Sequence, residues 1–338
     1  MEQVSSSKFT RPVYTCADGV RFATPEIVAR YRARRLKTNI LADISCGIGG
    51  QTVFFAQQCD LVYGIELNKN KLDCACKNAA LYGVDNITFI EGDALSPGMV
   101  KQMSNAQIIF CDPSRPKTEN VRNTDILQPG ISEVLNAYRD ITKRVVFEAP
   151  PQIPPERIKF ECECEYLSVN SKLNRLTLYF GQLMKCGRSA VVLEGDKYYP
   201  LRSDDKKLIS NADKMGIYAF EPDPAVVKAG LLGELADELG QKVDYISIDS
   251  RRSLLTSDIL LDSPFIKNRY MVLDKVPFEC GVINRSLIDL GIGRALIRFN
   301  VAPRQYWELR NRVERGLMGE RTAHLFRLQD GIYILERI

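Results

Sequence analysis

A glycine-rich loop is the first feature of the sequence that could carry chemistry. In the stretch LADISCGIGGQT (residues 41–52), Asp43 follows an apolar run, and Gly47, Gly49 and Gly50 lead into a predicted helix. Glycines at such a turn let the backbone approach a bound nucleotide or amino acid closely, and the helix N-terminus offers free N–H groups. A nicotinamide-type fingerprint would need a third glycine at position 52, which is threonine, and the phosphate loop G-x-x-x-x-G-K-[ST] is absent. The carboxylates around the loop must therefore decide the class of cofactor.

Two more carboxylates stand where a nucleoside cofactor would need them. Glu66 ends the predicted second strand (VYGIE), where an acid can hold ribose hydroxyls, and Asp93 follows the third strand (EGDA), where an acid can accept a hydrogen bond from an adenine amino group. A ribose-binding acid is shared with dinucleotide enzymes, but the complete ordered set indicates S-adenosyl-L-methionine. The predicted cofactor-binding residues are Asp43, Cys46, Gly47, Gly49, Gly50, Thr52, Glu66, Asp93, Ala94 and Asp112.

Alternating strands and helices must position these residues. Apolar strands are predicted at 39–44, 61–65, 87–90, 107–111 and 144–147, helices at 25–36, 51–57 and 68–81, and closing strands at 162–168 and 173–180. Buried apolar strands that alternate with helices indicate a parallel sheet. We therefore expect an α/β fold with a Rossmann-like, doubly wound sheet, preceded by an irregular or loosely docked segment over residues 1–24.

A small α+β module is predicted beyond this sheet. Asp223-Pro224 and the following AVVKAGLLGELADELG indicate one amphipathic linker helix, and after about residue 250 helices at 285–290 and 303–315 accompany strands at 294–299, 322–328 and 332–336. Asp330-Gly331 between the last two strands predicts a hairpin. The expected divisions are an N-terminal basic arm and helix (1–37), a cofactor-binding domain (38–200), and the linker helix with the C-terminal module (201–338).

Composition excludes several classes of enzyme. The 338 residues include one histidine, His324, so Ser/His/Asp or Cys/His catalysis would depend on this side chain, and a His-rich metal site cannot be built. We expect His324 to be a packed strand residue. Ten cysteines without C-x-x-C spacing, no signal segment and no long apolar run predict a cytoplasmic protein without a metal site or membrane span.

The net charge of +4 is unevenly distributed. Residues 1–37 carry +5, residues 38–280 carry −5, and residues 281–338, which contain ten arginines and no lysine, carry +4. Guanidinium groups bind phosphate bidentately and stack on bases, so the two basic ends favour a phosphate-bearing partner. A solvated helical face is the alternative explanation for the arginines at 30–35.

Over residues 12–180 the sequence resembles the class I S-adenosylmethionine-dependent methyltransferases, and within them the trimethylguanosine synthase-like RNA guanine-N2 methyltransferases. The similar stretches are DGVRFATPEIVA (18–29), DISCGIGGQTVFFA (43–56), GIELNKNKLDCACKNAALYGV (64–84) and ITFIEGDAL (87–95). From about Glu221 the chain resembles prokaryotic methyltransferase-like proteins with a THUMP-like terminal domain, through EPDPAVVKAG (221–230), LTSD (255–258) and the Gly291–Arg294 segment. THUMP domains bind RNA, so the resemblance implies an RNA substrate.

The resemblance also implies a catalytic loop at Asp112-Pro113-Ser114-Arg115. Amino-methylating relatives have [D/N/S]-P-P-[aromatic] here, in which a side-chain oxygen and a backbone carbonyl accept from the target amine. This sequence keeps Asp112 and Pro113 and departs at the next two positions, where Arg115 could stack on a base or bind a phosphate. Cys111 is expected to pack within its strand, and Glu148 to be either a substitute acceptor or base, or an exposed residue at a strand end.

RNA contacts are expected from arginines of the C-terminal module, namely Arg294, Arg298, Arg304, Arg310, Arg312 and Arg315. Tyr306 and Trp307 are either stacking groups or packing residues of the hinge or core. The predicted function is that of a cytoplasmic methyltransferase acting on a base nitrogen of structured tRNA or rRNA, which is gripped at both basic ends. The alternatives are a methyltransferase of a protein or small molecule, and a non-catalytic RNA-binding protein with a relic cofactor site.

Overall fold

The structure is a computed structural model that describes residues 2–16, 19–114, 124–203, 205, 207–240, 242–249 and 252–338. The chain divides into two compact units, Met1–Asp204 and Asp205–Ile338. Arg115 of the predicted catalytic loop lies outside the described residues, as does Asp18 at the start of the first similar stretch.

The first unit contains a nine-stranded sheet, a two-stranded sheet and six helices within the described ranges. Its strands are β1 (Glu2–Val4), β2 (Val13–Thr15), β3 (Ile40–Asp43), β4 (Leu61–Glu66), β5 (Ile87–Glu91), β6 (Ile108–Cys111), β7 (Val145–Ala149), β8 (Glu163–Val169), β9 (Lys172–Tyr179), β10 (Arg188–Glu194) and β11 (Lys197–Ser203). Its helices are α1 (Gly19–Phe22), α2 (Glu26–Arg35), α3 (Thr52–Ala56), α4 (Lys69–Tyr82), α5 (Pro97–Gln102) and α6 (Ile131–Ala137).

The order of strands in the large sheet is β11-β10-β8-β9-β7-β6-β3-β4-β5. The five strands from β7 to β5 are parallel, whereas β9 is antiparallel to both β7 and β8. The predicted Rossmann-like α/β fold is confirmed, including the two closing strands. Because β3, β4 and β6 are parallel neighbours, the loops that follow them emerge at one edge of the sheet, where ligands bind in such folds.

Local sequence explains the elements that frame this edge. The interior strand β3 is apolar, and Phe54, Phe55 and Phe110 fill the core cluster beside it. Helix α4 begins where the side chain of Asn68 accepts from the N–H of Lys71 at 3.2 Å and ends at Gly83, whose φ is +69°.

The N-terminal segment is docked, so the expectation of an irregular or loosely docked segment is wrong. β1 and β2 form an antiparallel pair. The backbone N–H of Tyr14 donates to Oδ1 of Asn78 in α4 at 2.8 Å, and Nδ2 of Asn78 donates back to the carbonyl of Tyr14 at 2.9 Å. The Asn78 amide thus satisfies both backbone groups of Tyr14, and strands of three residues are too short to show a periodic pattern in sequence.

The second unit contains a seven-stranded sheet and four helices in its described part. Its strands are β12 (Tyr218–Pro222), β13 (Asp244–Asp249), β14 (Arg252–Ser257), β15 (Ile266–Val276), β16 (Ile292–Ile297), β17 (Arg321–Leu328) and β18 (Gly331–Arg337), in the order β13-β14-β12-β15-β18-β17-β16. Its helices are α7 (Pro224–Ala229), α8 (Leu232–Glu238), α9 (Cys280–Asp289) and α10 (Pro303–Val313). The β17–β18 hairpin is confirmed, and the sheet includes strands that precede the predicted start at residue 250.

The predicted single linker helix is wrong, because two helices occupy its place. Gly230 ends α7 with φ of +70°, and α8 begins at Leu232. Glycine adopts this left-handed conformation without the steric cost that a Cβ would impose, so it stops the first helix although the apolar periodicity continues.

Candidate active site

Asp43 is the last residue of β3, and its side chain is buried. The hydroxyl of Thr52 donates to Oδ2 at 2.7 Å, and the backbone N–H of Ser45 donates to Oδ1 at 3.3 Å. Burial, together with the negative charges of Asp112 and Glu66, raises the pKa of Asp43 to about 7, although these hydrogen bonds lower it in part. Carboxylates from the ends of β3 and β4 and from the loop after β6 thus act on one another.

The glycine loop combines a close packing contact with open space. Gly47 and Gly49 have φ values of +56° and +80°, where residues with a side chain are strained. A Cβ on Gly49 would lie 3.1 Å from the Cβ of Ala75 in α4, so the loop needs glycine there to pack on that helix. A Cβ on Gly47 would meet no described atom within 4 Å, so the backbone at this residue borders unfilled space. Cys46 is buried, and its N–H donates to the carbonyl of Ile65 at 2.9 Å.

Glu66 is the last residue of β4, and Asp93 follows the neighbouring strand β5 at the same edge of the sheet. The N–H of Gly47 donates to Oε2 of Glu66 at 3.0 Å, so this acid holds the glycine loop and keeps further acceptor sites. Asp93 is exposed and accepts from the N–H of Leu95 at 2.9 Å. Ala94 is buried, and its carbonyl accepts from the hydroxyl of Tyr138 at 2.7 Å.

The loop after β6 is tied to the loop after β3. The N–H of Asp112 donates to the hydroxyl oxygen of Ser45 at 2.6 Å, and Pro113 is buried. Ser114 is exposed, and its N–H donates to the carbonyl of Gln128 at 2.9 Å. Cys111 is fully buried, and burial raises the pKa of its thiol well above the usual value, in keeping with the packing role expected from the sequence.

The structure therefore brings together the predicted residues from β3, the glycine loop, β4 and β6. Clustered carboxylates beside open backbone fit a cofactor that carries a cationic centre and a nucleoside. S-adenosyl-L-methionine has both, because its sulfonium and ammonium groups are positive and its adenosine offers ribose hydroxyls.

Glu148 in β7 is buried at 4% exposure, so the prediction of an exposed strand-end residue is wrong. It forms ion pairs with Arg32, which is 1% exposed, and with Nε of Arg175 at 2.9 Å. Arg32 also donates to Gln51, which directly precedes α3, and to the hydroxyl of Thr177 at 2.9 Å. Arg32 thus joins α2 to the glycine loop and to the end of β7.

A second buried ion-pair group lies on the same helix. Arg35 pairs with Glu163 at 2.6 Å and with Glu165, and the hydroxyls of Tyr31 and Tyr179 donate to Glu165 at 2.7 and 2.9 Å. The expectation that the N-terminal basic segment grips RNA as a whole is wrong for Arg32 and Arg35, because strand carboxylates neutralise them inside the unit. The signal that sequence reasoning missed was the alternation of Glu163 and Glu165, which places both acids on one face of β8.

The predicted RNA-binding arginines lie on and around β16 and α10 in the second unit. Arg294, Arg304, Arg312 and Arg315 are exposed, and Arg310 pairs with Glu314 at 2.9 Å. Trp307 is 62% exposed, with the Arg310 guanidinium 5.5 Å from its ring centroid, which contradicts a core position for the tryptophan.

His324 is a packed strand residue, as expected. It is buried in β17, and Nε of Arg298 donates to its Nδ1 at 3.0 Å. Burial, together with the positive charges of Arg298 and Arg337, lowers the pKa of His324 to about 4. This imidazole is therefore neutral at physiological pH.

The described part of the chain contains no group of three or more His, Cys, Asp or Glu side chains that could hold a metal ion. None of its helices combines the length and the apolar character needed to cross a membrane.

Comparison with known proteins identifies the domain. Residues 38–183 match the family model described as RNA cap guanine-N2 methyltransferase. An uncharacterized S-adenosylmethionine-dependent methyltransferase of Mycobacterium tuberculosis strain H37Rv is 26% identical over 289 residues, which cover 83% of this chain and 76% of that protein. Trimethylguanosine synthase of Saccharomyces cerevisiae is 29% identical over 141 residues, 38% of this chain and 45% of that one.

A solved structure from Porphyromonas gingivalis W83, to which methyltransferase activity is ascribed, has the same fold. Its TM-score is 0.77 at 17% identity, and the match covers 96% of this chain and 83% of that chain. The chain is thus an S-adenosylmethionine-dependent methyltransferase with S-adenosyl-L-methionine as its cofactor, and its residues 38–183 are similar to the RNA cap guanine-N2 methyltransferases.

Proposed function

We propose that this methyltransferase modifies RNA, at a base nitrogen of structured tRNA or rRNA. The observation that carries the proposal is the position of Asp112 and Pro113 directly after β6, with the Asp112 backbone held on Ser45 in the loop that follows Asp43. A carboxylate and a proline carbonyl at this edge can accept hydrogen bonds from an exocyclic amine. The amine nitrogen is then oriented toward the open side of the glycine loop.

Such a site works mainly by alignment. S-adenosyl-L-methionine, when bound, supplies an electrophilic methyl carbon on a good leaving group. Asp112 and the Pro113 carbonyl then hold the amine so that its lone pair points along the transfer direction, and positioning of this kind can lower a barrier by about 7–11 kcal/mol. Asp43, Gly47 and Glu66 would hold the cofactor, and Asp93 would accept from its adenine amino group. No histidine is needed, which suits a chain whose single imidazole is packed in the second unit.

An RNA substrate is supported by the domain type and by the basic surface of the second unit. The yeast relative acts, by its name, on guanosine. Four of the six candidate arginines are exposed, and the exposed Trp307 with its neighbouring guanidinium offers the combination of stacking and charge that single-stranded bases favour. We retain a THUMP-like role for the 201–338 module as part of the proposal, together with a cytoplasmic location, which the ten free cysteines favour.

Mass spectrometry of RNA nucleosides from cells that lack the protein tests the proposal. One methylated nucleoside should be lost, and it should return with the wild-type protein but not with Asp112→Ala. Calorimetry should show that the Asp112→Ala protein retains its fold and still binds the cofactor through the other predicted cofactor-binding residues, because the main role of Asp112 is to orient the amine. An unchanged nucleoside profile would refute the RNA proposal and favour a protein or small-molecule substrate. Full rescue by Asp112→Ala would refute the catalytic role alone.

A further inference from the structure

The first unit contains a cavity of about 500 Å³ next to its N-terminal segment. It is lined by the N-terminal segment around Lys8 and Phe9, one face of α2 along its whole length, and the turns at Asn170 and Gly195 that follow β8 and β10. Its volume falls in the range of about 300–1,000 Å³ that is typical of small-molecule and nucleotide sites. None of the predicted cofactor-binding residues is among its lining residues.

Charge at the cavity is predominantly positive. Four basic side chains line it, Lys8, Arg30, Arg34 and Lys197, against the acids Glu26 and Asp196. Glu26 is already neutralised, because Nη2 of Arg30 lies 2.6 Å from its Oε1 and the N–H of Thr10 donates to Oε2 at 2.9 Å. The exposed cations Arg34 and Lys197 therefore outweigh the exposed Asp196, and the cavity suits an anion.

Aromatic rings supply a second recognition element. Tyr31 and Tyr198 lie with ring centroids 5.2 Å apart, and Tyr198 is 48% exposed at the cavity. Bases of single-stranded RNA stack on exposed aromatic rings, while cations follow the phosphates. The cavity thus offers cations that can bind a phosphate and an aromatic ring on which a base can stack.

The cavity is connected to the catalytic loops through the N-terminal segment. Nζ of Lys8 donates to the carbonyls of Val20, Arg21 and Ala23 at 3.0, 2.7 and 2.8 Å, which fixes this segment over α1. A Cβ on Gly50 of the glycine loop would lie 3.4 Å from the ring of Phe9. Lys8 also lies within electrostatic reach of Asp112, whose charge counteracts the lowering of the Lys8 pKa by burial and by Arg175. A ligand in the cavity would thus lie near the place where the target amine is expected.

We propose that this cavity binds a nucleotide of the RNA strand next to the methylated one, with its phosphate on Arg34 and Lys197 and its base against Tyr198. The inference rests on the proposed RNA function and deepens it by naming where the strand runs. It predicts that the first unit itself contacts RNA, independently of the arginines of the second unit.

The test uses the full chain with saturating S-adenosyl-L-methionine and a single-stranded 12-nucleotide RNA that contains 4-thiouridine. Each phosphate contact contributes about −0.7 to the slope of log affinity against log salt for single strands. The double variant Arg34→Gln/Lys197→Gln removes the contact to one phosphate, so it should lower the magnitude of the slope by about 0.7 and weaken binding about fourfold at 0.15 M salt. The matched control Lys101→Gln/Arg139→Gln removes the same charge from exposed positions outside the cavity and should leave both values unchanged.

Two further measurements address the base and the source of the nucleotide. Tyr198→Ala should weaken binding about fivefold or more and Tyr198→Phe should restore it, since stacking needs only the ring. Photo-cross-linking should label the peptide that contains Tyr198, and free 5′-mononucleotides should fail to compete.

Equal behaviour of the cavity and control variants, with RNA bound by the wild type, would overturn the cavity inference and leave the proposed function intact. Binding of free mononucleotides, but not of the RNA strand, in the cavity would also overturn the cavity inference and leave the proposed function intact. Failure of the wild-type protein to bind the 12-nucleotide RNA would overturn the cavity inference alone, whereas an unchanged RNA nucleoside profile in cells that lack the protein would overturn both.

Discussion

Replacement of Arg32 by methionine should destabilise the first unit by about 3 kcal/mol. Arg32 is 1% exposed and paired with the buried Glu148, and removal of one partner of a buried ion pair costs about 3–5 kcal/mol because the other charge remains in a poorly polarisable interior. The lower end applies here because Glu148 keeps a second guanidinium, Nε of Arg175 at 2.9 Å.

Replacement of the partner Glu148 by leucine should destabilise the first unit more than replacement of Arg32. In Glu148→Leu the buried Arg32 retains only Gln51 and Thr177 among its hydrogen-bonding partners described above, and both are neutral. We expect the free energy of unfolding to fall by about 5 kcal/mol. The double variant Arg32→Met/Glu148→Leu should lie within about 2 kcal/mol of the wild type, because a well-packed apolar pair often replaces a buried ion pair without loss.

Hydrogen exchange of the α2 and β7 amides is the appropriate assay. The chain has one tryptophan, Trp307, and it belongs to the second unit, so its fluorescence does not report on this pair. A loss of 3 kcal/mol corresponds to roughly 100-fold faster exchange through unfolding. Arg34→Met, an exposed position of the same helix, is the control and should change stability by less than about 0.5 kcal/mol. Strict additivity of the two single changes in the double variant would refute the description of Arg32 and Glu148 as a coupled buried pair.

Three further predictions follow from the site and the C-terminal surface. The pKa of Asp43 is about 7 in the folded protein and near 3.8 when unfolded, so the stability that Asp43 contributes is fully present below pH 4 and is lost as pH rises through 7. In urea titrations the free energy of unfolding of the wild type, relative to that of Asp43→Asn, should fall by about 4 kcal/mol over this window, and a pH-independent difference would contradict the shift. Gly47→Ala should cost about 1–2 kcal/mol from backbone strain alone and weaken cofactor binding, whereas Gly49→Ala should cost more because its Cβ meets α4; equal stability losses would be inconsistent with that contact. Trp307→Ala should change the unfolding free energy by less than about 0.5 kcal/mol while weakening RNA binding in filter assays, and a large stability loss would reveal a packing role instead.

The strands and helices that position the site could be predicted from the sequence, because each is specified by residues close together along the chain. Buried apolar strands alternate with helices, and Asn68 and Gly83 mark the two ends of α4 within sixteen residues. The same reasoning failed where a neighbour remote in sequence decides the outcome. The burial of Arg32 as a charged group depends on Glu148 and Thr177, which are more than one hundred residues away in sequence.

A single left-handed residue and a single side-chain contact explain the other two wrong predictions. The apolar periodicity from Pro224 to Leu239 favours a continuous helix, but one left-handed residue, Gly230, divides it. The docking of β2 depends on a single side-chain amide, Asn78, which no pattern of hydrophobicity registers.

The charge distribution has a different meaning once these contacts are known. Arg30, Arg32 and Arg35 account for three of the eight positive charges of residues 1–37, and each pairs with a carboxylate of its own unit. Paired charges contribute little to the attraction of a polyanion, so the +5 of this segment overstates its capacity to bind RNA. The unit instead presents Arg34 and Lys197 at the cavity, where we propose that these two cations and the ring of Tyr198 bind a single nucleotide. The arginines around α10 would then supply most of the salt-dependent affinity, and the cavity would determine which nucleotide reaches Asp112.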